Sequence, residues 1–237
     1  MRETLLGRAA LGFTAWSERY IPDAFVFALL ATAIVFGAGL SVAGSGALVD
    51  AWGRGFWGLL GFTMQMALVI VTGSVLASSR PVARLIRALA RVPRTPRSAV
   101  AMVTVFALAS SWLNWGFSLI FSAVLAKEVA RRVRDVDYRA LAAASFLGLG
   151  SIWAQGLSGS AALQMATKGA LPREILDIVA TGGAVPGGTI GLGHTIFLWQ
   201  SMVSVLVEIV VVTAIMWLAT PPPGRARTAA DLGVDLG

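Results

Sequence analysis

Asn114-Trp115-Gly116 lies near the middle of an apolar stretch running from residue 98 to 126. Gln155-Gly156-Leu157-Ser158-Gly159-Ser160 interrupts a second one, from Ala140 to Met165. Amides, hydroxyls and glycines in apolar surroundings offer hydrogen bonds and bare backbone to a solute or an ion. They do not form a nucleophile with its base. Glu208 stands near the centre of a third apolar stretch. An acid there is costly unless it is protonated, paired or facing water, so by default it marks a functional group, here one for proton or ion coupling. Gln65, inside a fourth, is a helix-to-helix hydrogen-bonding residue or a ligand contact. The chain has no cysteine and a single histidine, His194. Disulfides, thiolate chemistry and multi-histidine metal or haem sites are therefore excluded. His194 reads as an interfacial residue at the rim of the last apolar stretch.

These residues need a membrane to hold them. The chain is 57% apolar and 13% charged, with a mean hydropathy of +0.77 and eight tryptophans, which leaves too little polar surface for a soluble globule. Its formal charge of +7 does not point to nucleic acid. Eleven of the 19 basic residues flank the 98–126 stretch: Arg80, Arg84, Arg87, Arg91, Arg94 and Arg97 upstream, and Lys127, Arg131, Arg132, Arg134 and Arg139 downstream. Membrane topology and anionic headgroups account for them, so lipid is an expected partner and nucleic acid is not.

Basic loops stay in the cytoplasm. If both flanks of 98–126 are cytoplasmic, the stretch crosses an even number of times. As one straight helix, its 29 residues would reach about 43 Å, against a hydrocarbon core of about 30 Å. A re-entrant helical hairpin satisfies both constraints. Thr95 and Pro96 open its first arm as N-cap and first-turn residue, and Asn114 caps the returning arm from Phe117 to Val129. The break in 140–165 reads as an unwound stretch facing a cavity or as a close-packing surface of small residues.

The remaining segments complete the expected plan. Residues 1–22 form a cytoplasmic N-terminal segment, not a cleaved signal. Residues 23–219 form the membrane domain, with spans at about 24–42 and 56–78 joined by a short loop carrying Asp50 and Arg54. The hairpin 98–126, the broken helix 140–165 and a last span at 195–219 follow. Residues 168–193 read as an external connection, with a short helix between Pro172 and Thr181. Gly188-Thr189-Ile190-Gly191-Leu192-Gly193 is no dinucleotide loop, because its glycine order and context are wrong. After Pro221-Pro222-Pro223, residues 220–237 form a cytoplasmic tail or the start of a linker. The fold class is all-α integral membrane.

The strings YIPDAFVFALLAT (Tyr20–Thr32), GFWGLLGFTMQMALVIVTGSVLASS (Gly55–Ser79), NWGFSL (Asn114–Leu119), KEVARRV (Lys127–Val133) and GLSGSAAL (Gly156–Leu163) resemble the short-chain fatty acid transporter family. The resemblance covers nearly the whole chain. It implies uptake of short monocarboxylates such as butyrate or acetoacetate across the bacterial inner membrane. It also implies the architecture of a broad ion-transporter group, in which each inverted repeat carries a hairpin and a broken helix and moves as an elevator. Members of the family are considerably longer, so the chain corresponds to one repeat with a leading helix. A second repeat or a homo-oligomer is then the expected partner.

A carboxylate at the bilayer midplane needs positive potential, and no Lys or Arg lies inside an apolar core here. Half-helix N-termini must provide it, after Asn114 and after Ser158. The expected substrate set is Asn114, Gly116, Gln155, Ser158, Gly159, Ser160 and Gln65, with Trp115 and Trp153 as lining or gating residues. No cofactor is expected beyond a coupling ion. Exposed carbonyls at the breaks, with Asn114 and Ser158, are the candidate Na⁺ site, the cation being implied only by the broader group; Glu208 is the candidate for proton coupling. An enzyme is not expected, since neither a catalytic constellation nor clustered metal ligands are present. The competing readings are a non-transporting half that needs a partner chain and a channel.

Overall fold

The computed structural model describes residues 5–167, 170, 176–178 and 189–236, the side chains of residues 62 and 160 excepted; all regular elements among them are helical. The chain divides into two units, Arg8–Val71 and Thr72–Gly237 with Met1–Gly7. Among the described residues, three helices are long and apolar enough to cross a membrane: Ser45–Ser78 taken as one, Pro96–Leu113 and Trp199–Ala219. Counting one bent pair as a further span makes four. This is an integral membrane helical protein.

Helices α1 (Leu5–Tyr20) and α2 (Ala24–Gly39) meet at a 66° bend. Pro22 cannot donate to the previous turn, and the Asp23 carboxylate accepts from the Phe25 N–H at 2.8 Å to start α2. The sixteen residues of α2 reach only about 24 Å, so the span expected at 24–42 qualifies only together with α1. The loop expected before residue 56 is helical instead. It forms α3 (Ser45–Gly58), where Arg54 pairs with Asp50 one turn away and Trp52 stacks on Phe56. Those i,i+4 contacts support the helix by roughly a few tenths of a kcal/mol each. Leu60–Ser78 forms α4.

In the second unit, α5 (Arg80–Leu89) has an arginine face of exposed Arg80, Arg84 and Arg87 opposite buried Ile86. Helix α6 (Pro96–Leu113) begins with a reciprocal cap: the Ser98 N–H donates to the Thr95 hydroxyl at 3.2 Å, and the Thr95 N–H to the Ser98 hydroxyl at 3.0 Å. Helix α7 (Trp115–Arg132) folds back along it. The Ser118 hydroxyl donates to the Ala107 carbonyl at 2.7 Å, although eleven residues of continuous helix would separate them by about 16 Å. The chain therefore reverses at Asn114.

Helix α8 (Tyr138–Gly150) completes a three-helix core. Val100 and Val103 from α6, Leu125 and Val129 from α7 and Leu141 from α8 are fully buried in it. Buried Ser111, Ser118 and Ser122 keep the seam narrow. Then come a 3₁₀ turn (Ile152–Gln155), α9 (Ser160–Ala166) and α10 (Trp199–Ala219). The connection expected at 168–193, with its short helix and glycine run, lies largely outside the described residues. The last span starts at Trp199 rather than Thr195. Thr195, at φ −131° and ψ −93°, leaves a 3₁₀ turn at Leu192–His194, and Leu198 is extended before α10 begins.

Candidate functional site

Asn114 alone joins the two arms of the hairpin. Its backbone is extended (φ −158°, ψ 120°), its N–H closes α6 on the Ser110 carbonyl at 2.9 Å, and its side-chain oxygen accepts from the Phe117 N–H at 2.9 Å. Its carbonyl takes the Ser118 N–H at 3.0 Å. A short amide side chain that caps in this way lets one helix stop and another start without a loop. Gly116 is buried in the first turn of α7.

The second break is longer than the residues at 155–160 suggested. Helix α8 already ends at Gly150. Ser151 leaves helical geometry at φ −137° and ψ −69°, the 3₁₀ turn follows, and Gly156 and Gly159 are extended. The backbone is unwound from Ser151 to Gly159, and two glycines serve close packing. A Cβ on Gly148 would lie 2.3 Å from the Ala107 carbonyl oxygen, and one on Gly156 would lie 2.3 Å from that of Trp112.

The two breaks touch. The Leu157 N–H donates to the Trp112 carbonyl at 2.8 Å, and the Trp115 N–H donates to the Ser158 hydroxyl at 3.0 Å. Part of the α7 N-terminus is thus already occupied: Ser158 takes the Trp115 N–H and Asn114 takes those of Phe117 and Ser118. Glu208 joins the group from α10, accepting from the Gln155 side-chain amide at 2.6 Å. Both residues are half-buried. Beside this junction lies an apolar cluster of Leu108, Ile152 and Val205, with Trp112 packed edge-on to Phe197 at 5.9 Å.

Asn114, Gly116, Gln155, Ser158 and Gly159 thus share one junction, with Glu208 at its edge. Gln65 is exposed on α4, in the other unit. Ser160 opens α9, and its side chain lies outside the described residues. Trp115 and Trp153 are half-buried, and what places them at the site is their backbone: the Trp115 N–H on Ser158 and the Trp153 carbonyl on the Gly156 N–H at 3.1 Å. Trp112 was not legible as a site residue. Its carbonyl carries the contact between the breaks, and its buried indole N–H finds no acceptor among the described residues. Its one local signal is its position two residues before the Asn114 cap. His194 is exposed in the 3₁₀ turn ahead of α10. No metal-binding group of His, Asp or Glu side chains occurs among the described residues. The oxygens at the junction are instead carbonyls, the Ser158 hydroxyl and the Asn114 and Gln155 amides, with the Glu208 carboxylate at the edge.

Residues 5–231 match the family described as short chain fatty acid transporter. The chain is 39% identical over 204 residues to the "Putative short-chain fatty acid transporter" of Escherichia coli strain K12, covering 85% of this chain and 45% of that protein. It is 36% identical over 203 residues to the Haemophilus influenzae protein of the same description, covering 84% and 45%. The chain therefore spans about half the length of the curated relatives it matches. No solved structure matches it.

Proposed function

The chain belongs to the short-chain fatty acid transporter family, and from that premise we propose that it carries small monocarboxylates such as butyrate or acetoacetate across the cytoplasmic membrane by cation-coupled secondary transport. The observation that supports a carboxylate site is the Ser158 hydroxyl seated on the Trp115 N–H at the start of α7. A helix N-terminus carries roughly half a positive charge, and Ser158 occupies the place an anionic oxygen would take. In the loaded state the carboxylate displaces Ser158 from that N–H and gains the Asn114 amide, while Ser158 turns to donate its proton to the second oxygen. The alkyl tail lies against the Trp112–Phe197 pair at the edge of the apolar cluster, whose Leu108 and Ile152 are fully buried.

The whole transporter's activity is proposed for these residues together with what the longer relatives add. In this reading α6 and α7 enter from the cytoplasmic side, the chain supplies one of two inverted repeats, and the N-terminus is cytoplasmic. The exposed apolar face of α10, with Val203, Leu206, Val207 and Val210, is available to a second repeat or to lipid.

Uptake of labelled butyrate into proteoliposomes, against protein-free vesicles, tests the reading. The chain is assayed alone and with the portion of the Escherichia coli relative that it does not match. Saturable uptake is expected, and Asn114→Ala and Ser158→Ala each reduce it at least about tenfold, the loss of one charge-assisted hydrogen bond of about 1.5–3 kcal/mol. No saturable uptake in either arrangement sinks it. Chain length is a second readout. At about 0.8 kcal/mol per buried methylene, butyrate should compete about fifteenfold better than acetate, and equal competition would remove the apolar tail site. Topology is checked separately: a maleimide should label Arg134→Cys only from the cytoplasmic side, whereas external labelling would remove the re-entrant hairpin.

A further inference from the structure

We propose that Glu208 is the proton-binding site that couples transport, taking up a proton when a monocarboxylate occupies the Asn114–Ser158 junction; this rests on the reading of that junction given above. Glu208 is the only acid on α10, and its carboxylate meets the Gln155 amide at 2.6 Å. A glutamine at 208 would make the same amide pair without an acid's cost in a membrane span. What the carboxyl adds is titration. The pair also works in both states: ionised Glu208 accepts from Gln155 Nε2, and protonated Glu208 donates to Gln155 Oε1 once the amide turns over.

The link to substrate is short. Three residues separate Gln155 from Ser158, at most about 10 Å of backbone, and Ser158 holds the N-terminus of α7. Two carboxylates in a poorly hydrated membrane interior still repel over such a distance and oppose each other's ionised form. The substrate's charge therefore favours a neutral Glu208, and by reciprocity a neutral Glu208 favours the substrate.

Among the described residues, the charged groups on neighbouring elements do not neutralise Glu208 instead. Helix α10 packs chiefly on α6 and the 3₁₀ turn. The 3₁₀ turn carries no charge, and α6 carries only Arg97. Arg97 lies eleven residues, about 16 Å, from the Leu108 level at which α10 packs. Arg139, at the far end of α8, is paired with Asp137. His194 precedes α10 by five residues and Glu208 by fourteen. The proton passes from external water to the Glu208 carboxyl and from there to cytoplasmic water, one per carboxylate, and no bond of the substrate changes.

Binding of radiolabelled butyrate to the detergent-solubilised chain by scintillation proximity, from roughly pH 6 to 8.5 where butyrate itself stays ionised, separates the possibilities without vesicle leakage. Wild type should weaken by up to about tenfold per pH unit, the limit for one linked proton. Replacing Na⁺ by K⁺ should change nothing. Glu208→Gln should bind with the same affinity at every pH, near that of wild type at its low-pH limit, and Glu208→Asp should restore the slope. A wild-type slope persisting in Glu208→Gln, or binding that follows Na⁺ and ignores pH, overturns the proposal while leaving the substrate reading intact. No binding at any pH, by the chain alone or together with the portion of the Escherichia coli relative that it does not match, overturns the substrate reading, and the proposal with it.

Discussion

Gly156→Val should lower the melting temperature of the detergent-solubilised chain sharply and bring butyrate uptake to background. A Cβ at residue 156 would sit 2.3 Å from the Trp112 carbonyl oxygen, 2.7 Å from its Cα and 2.8 Å from its carbonyl carbon. All three are backbone atoms, so no rotamer change relieves the clash, and the break must move off α6. Overpacking of this kind costs about 1–3 kcal/mol or more. The same movement removes the Leu157-to-Trp112 hydrogen bond, worth about another 1 kcal/mol. It also lifts Ser158 away from Trp115, so the site is lost together with the packing. Gly150→Ala is the matched control. It lies at the end of α8 with nothing within 4 Å of an added Cβ, and it should leave stability unchanged or raise it by up to about 1 kcal/mol. Equal damage from both substitutions would mean that glycine matters here for backbone freedom and not for close approach.

Part of this junction was legible from local chemistry. Asn114 is a favoured helix cap inside an apolar run, and the basic flanks and length of 98–126 require the chain to turn back, so the reversal at Asn114 follows from charge pattern and residue type together. The arginine spacing likewise announces the amphipathic face of α5. What stayed hidden depends on partners distant in sequence. The break begins at Ser151, not Gln155, because Gly148 brings α8 against the Ala107 backbone and the chain then turns through a 3₁₀ segment to bring Gly156 onto Trp112. Apart from the Asn114 cap two residues on, nothing near Trp112 in sequence indicates that its carbonyl is needed. Gln65 matched the strings of the family and is exposed on α4; a family string carries no information about which side of a helix is covered. The helix at Ser45–Gly58 was masked by its glycines, and the Asp50–Arg54 pair that supports it has a periodicity easily read as scattered loop charge.

Asp137 combines more separate duties than any other charged residue described, and Asp137→Ala should destabilise the second unit by about 3 kcal/mol. Its side chain is 1% exposed. One oxygen caps α8 by accepting the Ala140 N–H at 3.0 Å; the other accepts from Arg139 at 2.8 Å and from the Arg227 N–H of the tail at 3.1 Å. The Tyr138 N–H completes the contact by donating to the Arg227 carbonyl at 2.8 Å. Loss of the cap alone costs about 1 kcal/mol. Removing one partner of a buried ion pair costs about 3–5 kcal/mol, a figure that falls here because Arg139, at 26% exposure, can reach water. Asp137→Asn keeps the cap acceptor and loses the charge, so it should cost less than half as much. The tail beyond Arg227 is built to stay in place: Asp231 accepts from the Thr228 N–H and hydroxyl, both at 2.8 Å, and these bonds, with Arg227 nearby, hold its carboxyl below the usual carboxylate range. If Asp137 is the anchor, Asp137→Ala should also expose the 225–232 segment to protease before the unit melts. A tail that stays protected in Asp137→Ala would place the anchor elsewhere, in the Arg131 contact with the Leu236 carbonyl.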